Sequence, residues 1–348
     1  MKSYRVAIVG CGRMAGSIDD EVVGYPAITL PYSHAASYAN VPQMETVACA
    51  DINPQALERF GRRWGVDGRY TDYREMIRVE KPDILSVTTG APLHAEIVTF
   101  AAENGVPAIY CEKPMACSLV ECDAMVEAVE RHGVHFNLGT SRRYDPGCDQ
   151  IRRLIEEGVL GQVQTIVAYR TGNLLHTGSH FFDLLLFFAG DAEAEFVQGS
   201  LDSDRCDLSA NRSEVDLAGT AYIRFWNGMR AYALQSPLTA DFEVIGDAGT
   251  ARLMNNGIHW GLRVTKEQYG KNRILLPEPF PEFERKSPTV RCIEDLVHAL
   301  ETGDRTRGNA RVARAGTELA LAVVESHRQG GARVPLPMAN RALYMKSK

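Results

Sequence analysis

A short β-branched run, Arg5–Val9, ends in Gly10-Cys11-Gly12-Arg13-Met14-Ala15, and helical sequence follows. Few folds accommodate that order. In a strand–GxGxxA–helix unit the first glycine permits a tight turn, and the second lets backbone approach a pyrophosphate. The small third residue lets helix and strand pack closely, while the helix N-terminus attracts phosphate. Further strand-like runs fall at Glu45–Ala50, Ile84–Val87, Pro107–Cys111 and Val134–Leu138, with a weaker one near Tyr70. Helical patterns lie between them, at Pro54–Trp64, Asp72–Val79, Leu93–Asn104 and Ser118–His132. This alternation predicts right-handed βαβ units and a doubly wound, mostly parallel sheet over residues 1–138, a dinucleotide-binding Rossmann domain.

The pattern changes after Leu138. Helical segments at Asp145–Glu157 and Gly178–Ala189 flank a strand at Gln164–Arg170. Strand signals then follow one another at Glu193–Leu201, Glu214–Phe225, Arg230–Leu238, Phe242–Gly246 and Ala251–Met254. Consecutive strands favour antiparallel pairing. Two helices, Pro288–Thr302 and Arg311–Gln329, close the chain. Residues 139–348 therefore read as an α+β domain with a mostly antiparallel open sheet, and 348 residues suit two domains. A net charge of −6 argues against a nucleic-acid partner, which needs a basic face. No apolar run approaches the ~18 residues of a membrane span. Met1–Gly10 runs into strand-like sequence without the apolar core of a signal peptide. The eight cysteines, at 11, 49, 111, 117, 122, 148, 206 and 292, form no CxxC pair, so a reduced cytoplasmic protein is expected.

Asp51 ends the second strand, where a carboxylate hydrogen-bonds a ribose 2′-hydroxyl and repels a 2′-phosphate, favouring NAD over NADP. An ordinary exposed aspartate at a strand end is the other reading. Gly12 and Asp51 are 39 positions apart, against the usual ~20. Residues 17–33 (SIDDEVVGYPAITLPYS) carry loop signals and no period, and removing those 17 residues brings the separation to 22. Residues 17–33 therefore read as an insertion. Its Asp19, Asp20 and Glu21 would repel phosphates if folded over them. The insertion is expected to cover the nicotinamide end, to meet another subunit, or to be a tolerated surface loop.

Four later motifs carry a resemblance. They are Glu112-Lys113-Pro114 at the end of the fifth strand, Arg142-Arg143-Tyr144-Asp145-Pro146, Gly178-Ser179-His180-Phe181-Phe182-Asp183, and Phe242–Gly249 (FEVIGDAG). Behind the GxGxxA unit and in this order, they resemble the EKP, RRFDP-like, GxHxxD and later sheet motifs of the glucose–fructose oxidoreductase/inositol dehydrogenase (Gfo/Idh/MocA) family. The resemblance implies an NAD(P)-dependent oxidoreductase acting on a sugar, cyclitol or related polyol, NAD being favoured. It also implies a homodimer or homotetramer paired through the C-terminal sheet.

Oxidising a secondary alcohol needs a hydride acceptor and a base with a pKa near working pH. Lys113 stands where α/β sheets bind ligands and has the charge to stabilise a developing alkoxide, although pairing with Glu112 alone would also explain it. The resemblance implies that Lys113 and His180 handle the proton; a hydrogen-bonded core histidine is the alternative for His180. Asp183 lies three residues on, suited to orienting His180, to binding a sugar hydroxyl or to a buried structural role. His176 departs from the family, where aspartate often stands four residues before the histidine. Aspartate only accepts hydrogen bonds, whereas neutral histidine both donates and accepts, so a different substrate or hydroxyl position is expected. Arg143 and Tyr144 suit either the substrate rim or the domain junction. The resemblance adds Thr89, Glu112 and Lys113 to Gly10, Cys11, Gly12, Arg13, Met14 and Asp51 as cofactor contacts. Thr88-Thr89-Gly90-Ala91 lacks the asparagine of the family's ATPN, and His94 reads as helix packing or cofactor rim. HxxxH also occurs in zinc sites, but Gly178 interrupts this one and no HExxH is present, so no metal is expected. Two other functions fit the same residues: a glycoside-processing enzyme that uses bound NAD transiently, and a non-catalytic NAD-bound sensor.

Overall fold

A computed structural model describes residues 3–169, 172–202, 208, 210–236 and 239–347. The first unit holds strands β1 (Tyr4–Val9), β2 (Met44–Ala50), β3 (Gly68–Tyr70), β4 (Ile84–Val87), β5 (Ala108–Cys111) and β6 (His135–Leu138). All pair in parallel, in the order β3-β2-β1-β4-β5-β6, which is that of a doubly wound dinucleotide-binding sheet. Its helices are α1 (Arg13–Gly16), α2 (Ile18–Val22), α3 (His34–Ala39), α4 (Pro54–Trp64), α5 (Tyr73–Glu80), α6 (His94–Glu103) and α7 (Leu119–Arg131). Side chains alternate across the sheet because successive strand residues point to opposite faces. Ala7 and Val9 of β1 join one buried cluster with Ile97 and Val98 of α6 and Met125 of α7, whereas Val6 and Ile8 join another with Ala35 of α3 and Leu57 of α4.

The second unit holds α8 (Pro146–Glu156), β7 (Val163–Tyr169), α9 (Gly178–Phe188), β8 (Ala194–Leu201), β9 (Arg212–Ser213), β10 (Gly219–Phe225), β11 (Arg230–Leu234), β12 (Asp241–Gly246), β13 (Gly249–Met254), β14 (His259–Tyr269) and β15 (Asn272–Glu278). After α10 (Pro288–Thr302) and α11 (Ala310–Arg328) come β16 (Val334–Pro335) and β17 (Tyr344–Met345). Nine strands form one sheet, β15-β14-β13-β12-β7-β11-β10-β8-β16, in which only β7 and β11 pair in parallel. One face is packed: Phe181 and Phe188 of α9 lie against Phe242 of β12, and Gly199 of β8 faces Val323 of α11. On the other face half-buried Phe196, Tyr222 and Tyr232 line up across β8, β10 and β11, Phe196 edge to face with Tyr222 and Tyr222 tilted against Tyr232.

Three differences from the sequence reading have physical reasons. First, Lys286–Arg314, assigned above to the second domain, folds with Met1–Tyr144. Val290, Ile293 and Leu296 of α10 enter the core cluster of β1 and α3. Second, the hairpin β14–β15 escaped notice because its residues are largely solvent-exposed and carry charge on both faces, which blurs a period of two. Third, the insertion is partly helical. Its acids have protein partners: Asp19 accepts from the Tyr32 and Ser33 amides at 2.7 and 2.9 Å, Asp20 pairs with Arg63 at 2.5 Å, and Glu21 pairs with Arg13 at 2.6 Å. Arg170, Cys206, Pro237 and Leu238 lie outside the described residues.

Candidate active site

The loop between β1 and α1 begins the site. Gly10 has φ +90°, and a Cβ there would stand 3.0 Å from the Thr88 carbonyl group and the Thr89 amide nitrogen, so glycine is required. A Cβ on the exposed Gly12 would meet nothing within 4 Å, which leaves the backbone open to an approaching group. The Cys11 thiol turns inward to the Ala50 carbonyl, while its amide donates to Asp51 Oδ2 at 2.7 Å. Asp51 Oδ1 accepts from the Asn53 amide at 2.8 Å, so both carboxylate oxygens are anchored at the end of β2. Arg13 is exposed and Met14 half-buried on the single turn of α1. Across the loop, Thr88 Oγ1 donates to the Gly10 carbonyl at 2.6 Å. Thr89 Oγ1 is buried with no hydrogen-bond partner among the described residues. A buried hydroxyl of that kind calls for a ligand or water.

The second part of the site lies past β5. Glu112 is buried and Lys113, joined to Pro114 by a cis peptide, is half-buried. His94 is fully buried and ties the two loops together, with Nδ1 2.9 Å from the Pro114 carbonyl and Nε2 2.9 Å from the Thr89 carbonyl. Burial pushes the His94 imidazole below its ordinary pKa despite these two acceptors. It is a packing clip between the loops, one of the two readings given above. His34, which the sequence reading passed over, approaches Glu112 Oε1 at 3.0 Å through Nε2 and Ser86 Oγ at 2.8 Å through Nδ1. Its signal in the sequence was slight: a lone histidine directly after the insertion.

Tyr144 is 1% exposed, and its hydroxyl donates to Asn137 Oδ1 at 2.7 Å, lies 3.1 Å from Asp295 Oδ2 and accepts from the Gly308 amide at 3.0 Å. Arg143 is likewise 1% exposed, and its carbonyl accepts from Arg307 at 2.6 Å. Both side chains are buried, and the Tyr144 hydroxyl is held by groups of its own unit, which favours the junction reading over the rim one. Tyr144→Phe is expected to cost about 1–3 kcal/mol of stability and to leave the substrate KM unchanged. A raised KM at unchanged stability would favour the rim reading.

In the second unit, His180 and Asp183 lie on α9 and are 8% and 3% exposed. His176 is exposed and precedes the helix, so the pair with His180 is not on one helical face. Asp216, also missed from sequence, sets the loop before α9: its two oxygens accept from the Leu175 and His176 amides at 3.0 and 2.7 Å. No sequence pattern marks Asp216, because its partners are backbone groups some forty positions away. Among the described residues, no group of three or more His, Cys, Asp or Glu side chains has the arrangement of a metal site.

With the strand order, the Gly10 turn and the anchored Asp51 established, the family whose signature is described as "Oxidoreductase family, NAD-binding Rossmann fold" matches residues 4–140. Residues 4–140 carry the signature of the Gfo/Idh/MocA oxidoreductases. Among relatives of the Gfo/Idh/MocA domain, D-apiose dehydrogenase of Paraburkholderia graminis is 29% identical over 161 residues, 46% of this chain. That match spans only 38% of the apiose enzyme's length. Inositol 2-dehydrogenase of Burkholderia cenocepacia is 28% identical over 320 residues, 86% of this chain and 91% of its own. The solved levoglucosan dehydrogenase, in complex with NADH and levoglucosan, shares the fold with a TM-score of 0.77 at 21% identity, over 97% of this chain and 100% of that one. No helix among the described residues is long and apolar enough to cross a membrane.

Proposed function

We propose that this chain is an NAD-dependent oxidoreductase that moves a hydride between a secondary alcohol of a sugar, cyclitol or related polyol and nicotinamide. The observation that carries the reading is one sheet edge: the open Gly12 backbone, the partnerless Thr89 hydroxyl and Lys113 all stand at the C-terminal ends of parallel strands. Those residues fit a dinucleotide, with Gly10–Gly12 at the pyrophosphate, Asp51 at the adenosine ribose and Thr89 with Lys113 toward the nicotinamide. Bound nicotinamide supplies the hydride acceptor or donor. Lys113 and His180 supply the other half of the reaction: in alcohol oxidation they take the hydroxyl proton as the C–O bond becomes a carbonyl, and in reduction they return it. Asp51 disfavours a 2′-phosphate, hence NAD over NADP. The names of the relatives, an apiose and an inositol dehydrogenase, support the substrate class. The half-buried aromatic face of the nine-stranded sheet supports pairing with a second copy, which a mass measured by light scattering checks: a monomer would overturn it.

The test is reduced-nicotinamide absorbance after mixing the protein and NAD with a panel of sugars, cyclitols and glycosides. Turnover that disappears in Lys113→Ala is expected. Tight NAD binding without net reduction would overturn the dehydrogenase reading in favour of transient redox chemistry or a sensor, which product analysis on glycosides separates. Run on the same panel, His176→Asp is expected to reorder the substrates. An unchanged order removes His176 from the substrate site.

A further inference from the structure

The core of the first unit holds a polar chain that the reaction as described does not use. Tyr38 Oη lies 2.8 Å from Ser86 Oγ, Ser86 Oγ 2.8 Å from His34 Nδ1, and His34 Nε2 3.0 Å from Glu112 Oε1. The chain ends beside Lys113, whose amide donates to Glu112 Oε2 at 3.2 Å. His34 and Ser86 are wholly buried, and the imidazole stacks on Tyr110 at 4.1 Å. A Cβ on Gly139 would stand 2.8 Å from Glu112 Oε1, so the carboxylate is closed in on that side as well. A buried carboxylate is costly unless its oxygens are paired, and here the His34 imidazole and the Lys113 amide hold one each.

We propose that His34 is a positioning residue for Lys113, acting through the Glu112 carboxylate. The proposal rests on the reading of Lys113 as the group that handles the proton. With Glu112 ionised, the hydrogen of its contact with His34 sits on Nε2. Burial works against the ionised Glu112, but the hydrogen bond and charge from His34, with Lys113 alongside, outweigh it and hold the carboxyl below its usual range. Besides His34, the titratable groups that feel this carboxylate are Tyr32, His94, Tyr110, Cys111, Cys292 and Lys113. Burial pushes the tyrosines and cysteines among them up and His94 down, so these five are neutral near pH 7. Of this set, the charged pair is Glu112 and Lys113. A negative charge beside a lysine favours its ammonium form. His34 thereby sets the pH at which Lys113 becomes a base. The insertion serves the same end: Asp19 holds the Tyr32 and Ser33 amides, Thr289 donates to the Tyr32 carbonyl at 3.2 Å, and Ser33 caps the helix that His34 begins.

The experiment is the pH profile of kcat/KM for alcohol oxidation in the intact enzyme. His34→Leu removes the donor, so burial raises the Glu112 carboxyl and weakens its charge beside Lys113. Neutral Lys113 is then favoured, and the acid limb is expected to move down by about one pH unit. Glu112→Gln should move it equally, the double variant no further, and His34→Gln, which keeps an N–H toward Glu112, should hold the parent profile. A folded leucine variant with the parent limb would overturn the proposal, as would a double variant that moves beyond Glu112→Gln. If the leucine variant does not fold, an unmoved limb in Glu112→Gln overturns it equally. Lys113→Ala separates the two readings: if it retains turnover, the assignment of Lys113 itself has failed.

Discussion

Alanine at Lys113 is expected to lower kcat for the preferred polyol by about 10²–10⁴-fold, the usual contribution of a positioned acid or base. Lys113 stands two residues past the end of β5 and is half-buried. Its backbone amide is spent on Glu112, which fixes where the side chain starts. The loss should fall on kcat, because alanine removes proton transfer and alkoxide stabilisation but leaves the Gly10–Gly12 loop and Asp51 in place. NAD affinity, read by fluorescence titration, should therefore stay near that of the parent. Lys113→Arg should not restore the rate, since guanidinium does not deprotonate. Turnover that survives in the alanine variant would move proton transfer away from this strand end.

The second large effect concerns Asp51. Its carboxylate accepts two backbone N–H groups, from Cys11 and Asn53, and so fixes both the phosphate loop and the start of α4. Asp51→Ala strips both acceptors and the charge. On the ribose reading of Asp51, NAD loses one charge-assisted hydrogen bond of roughly 1.5–3 kcal/mol and should bind about 10–100-fold more weakly. NADP should lose less, because the repulsion of its 2′-phosphate disappears along with the carboxylate. Asp51→Asn keeps an acceptor and the shape while removing the charge, so it should narrow the preference between cofactors with a smaller loss of NAD affinity. Equal losses for both cofactors in the two variants would show that Asp51 only holds the loop. Paired kcat/KM measurements with NAD and NADP decide the matter.

The two halves of the site differed in how far local sequence reached. Gly10 was readable because its constraint is local: a positive φ and a close strand neighbour demand glycine in any such turn. The insertion was read by comparing the Gly12–Asp51 separation with its usual value, and its last residue, Ser33, is the N-cap of α3. Its content was not readable. Arg13, Arg63 and the amides of residues 32–33, which neutralise its three acids, converge only in three dimensions. Tyr144 shows the same limit, since its partners Asp295 and Gly308 come from more than 150 residues downstream.

By itself, then, the sequence determined the strands of the first sheet, their alternation with helices and the chemistry-bearing motifs, because period, turn residues and caps act over a few positions. The tertiary structure decided that α10 covers the first sheet, that His34 and Ser86 stand behind Glu112, and that Asp216 holds the loop before α9. Each of those is a long-range meeting of side chains or backbone groups. Burial without water selects such meetings through the cost of unpaired charge and empty volume, and no local pattern records that cost.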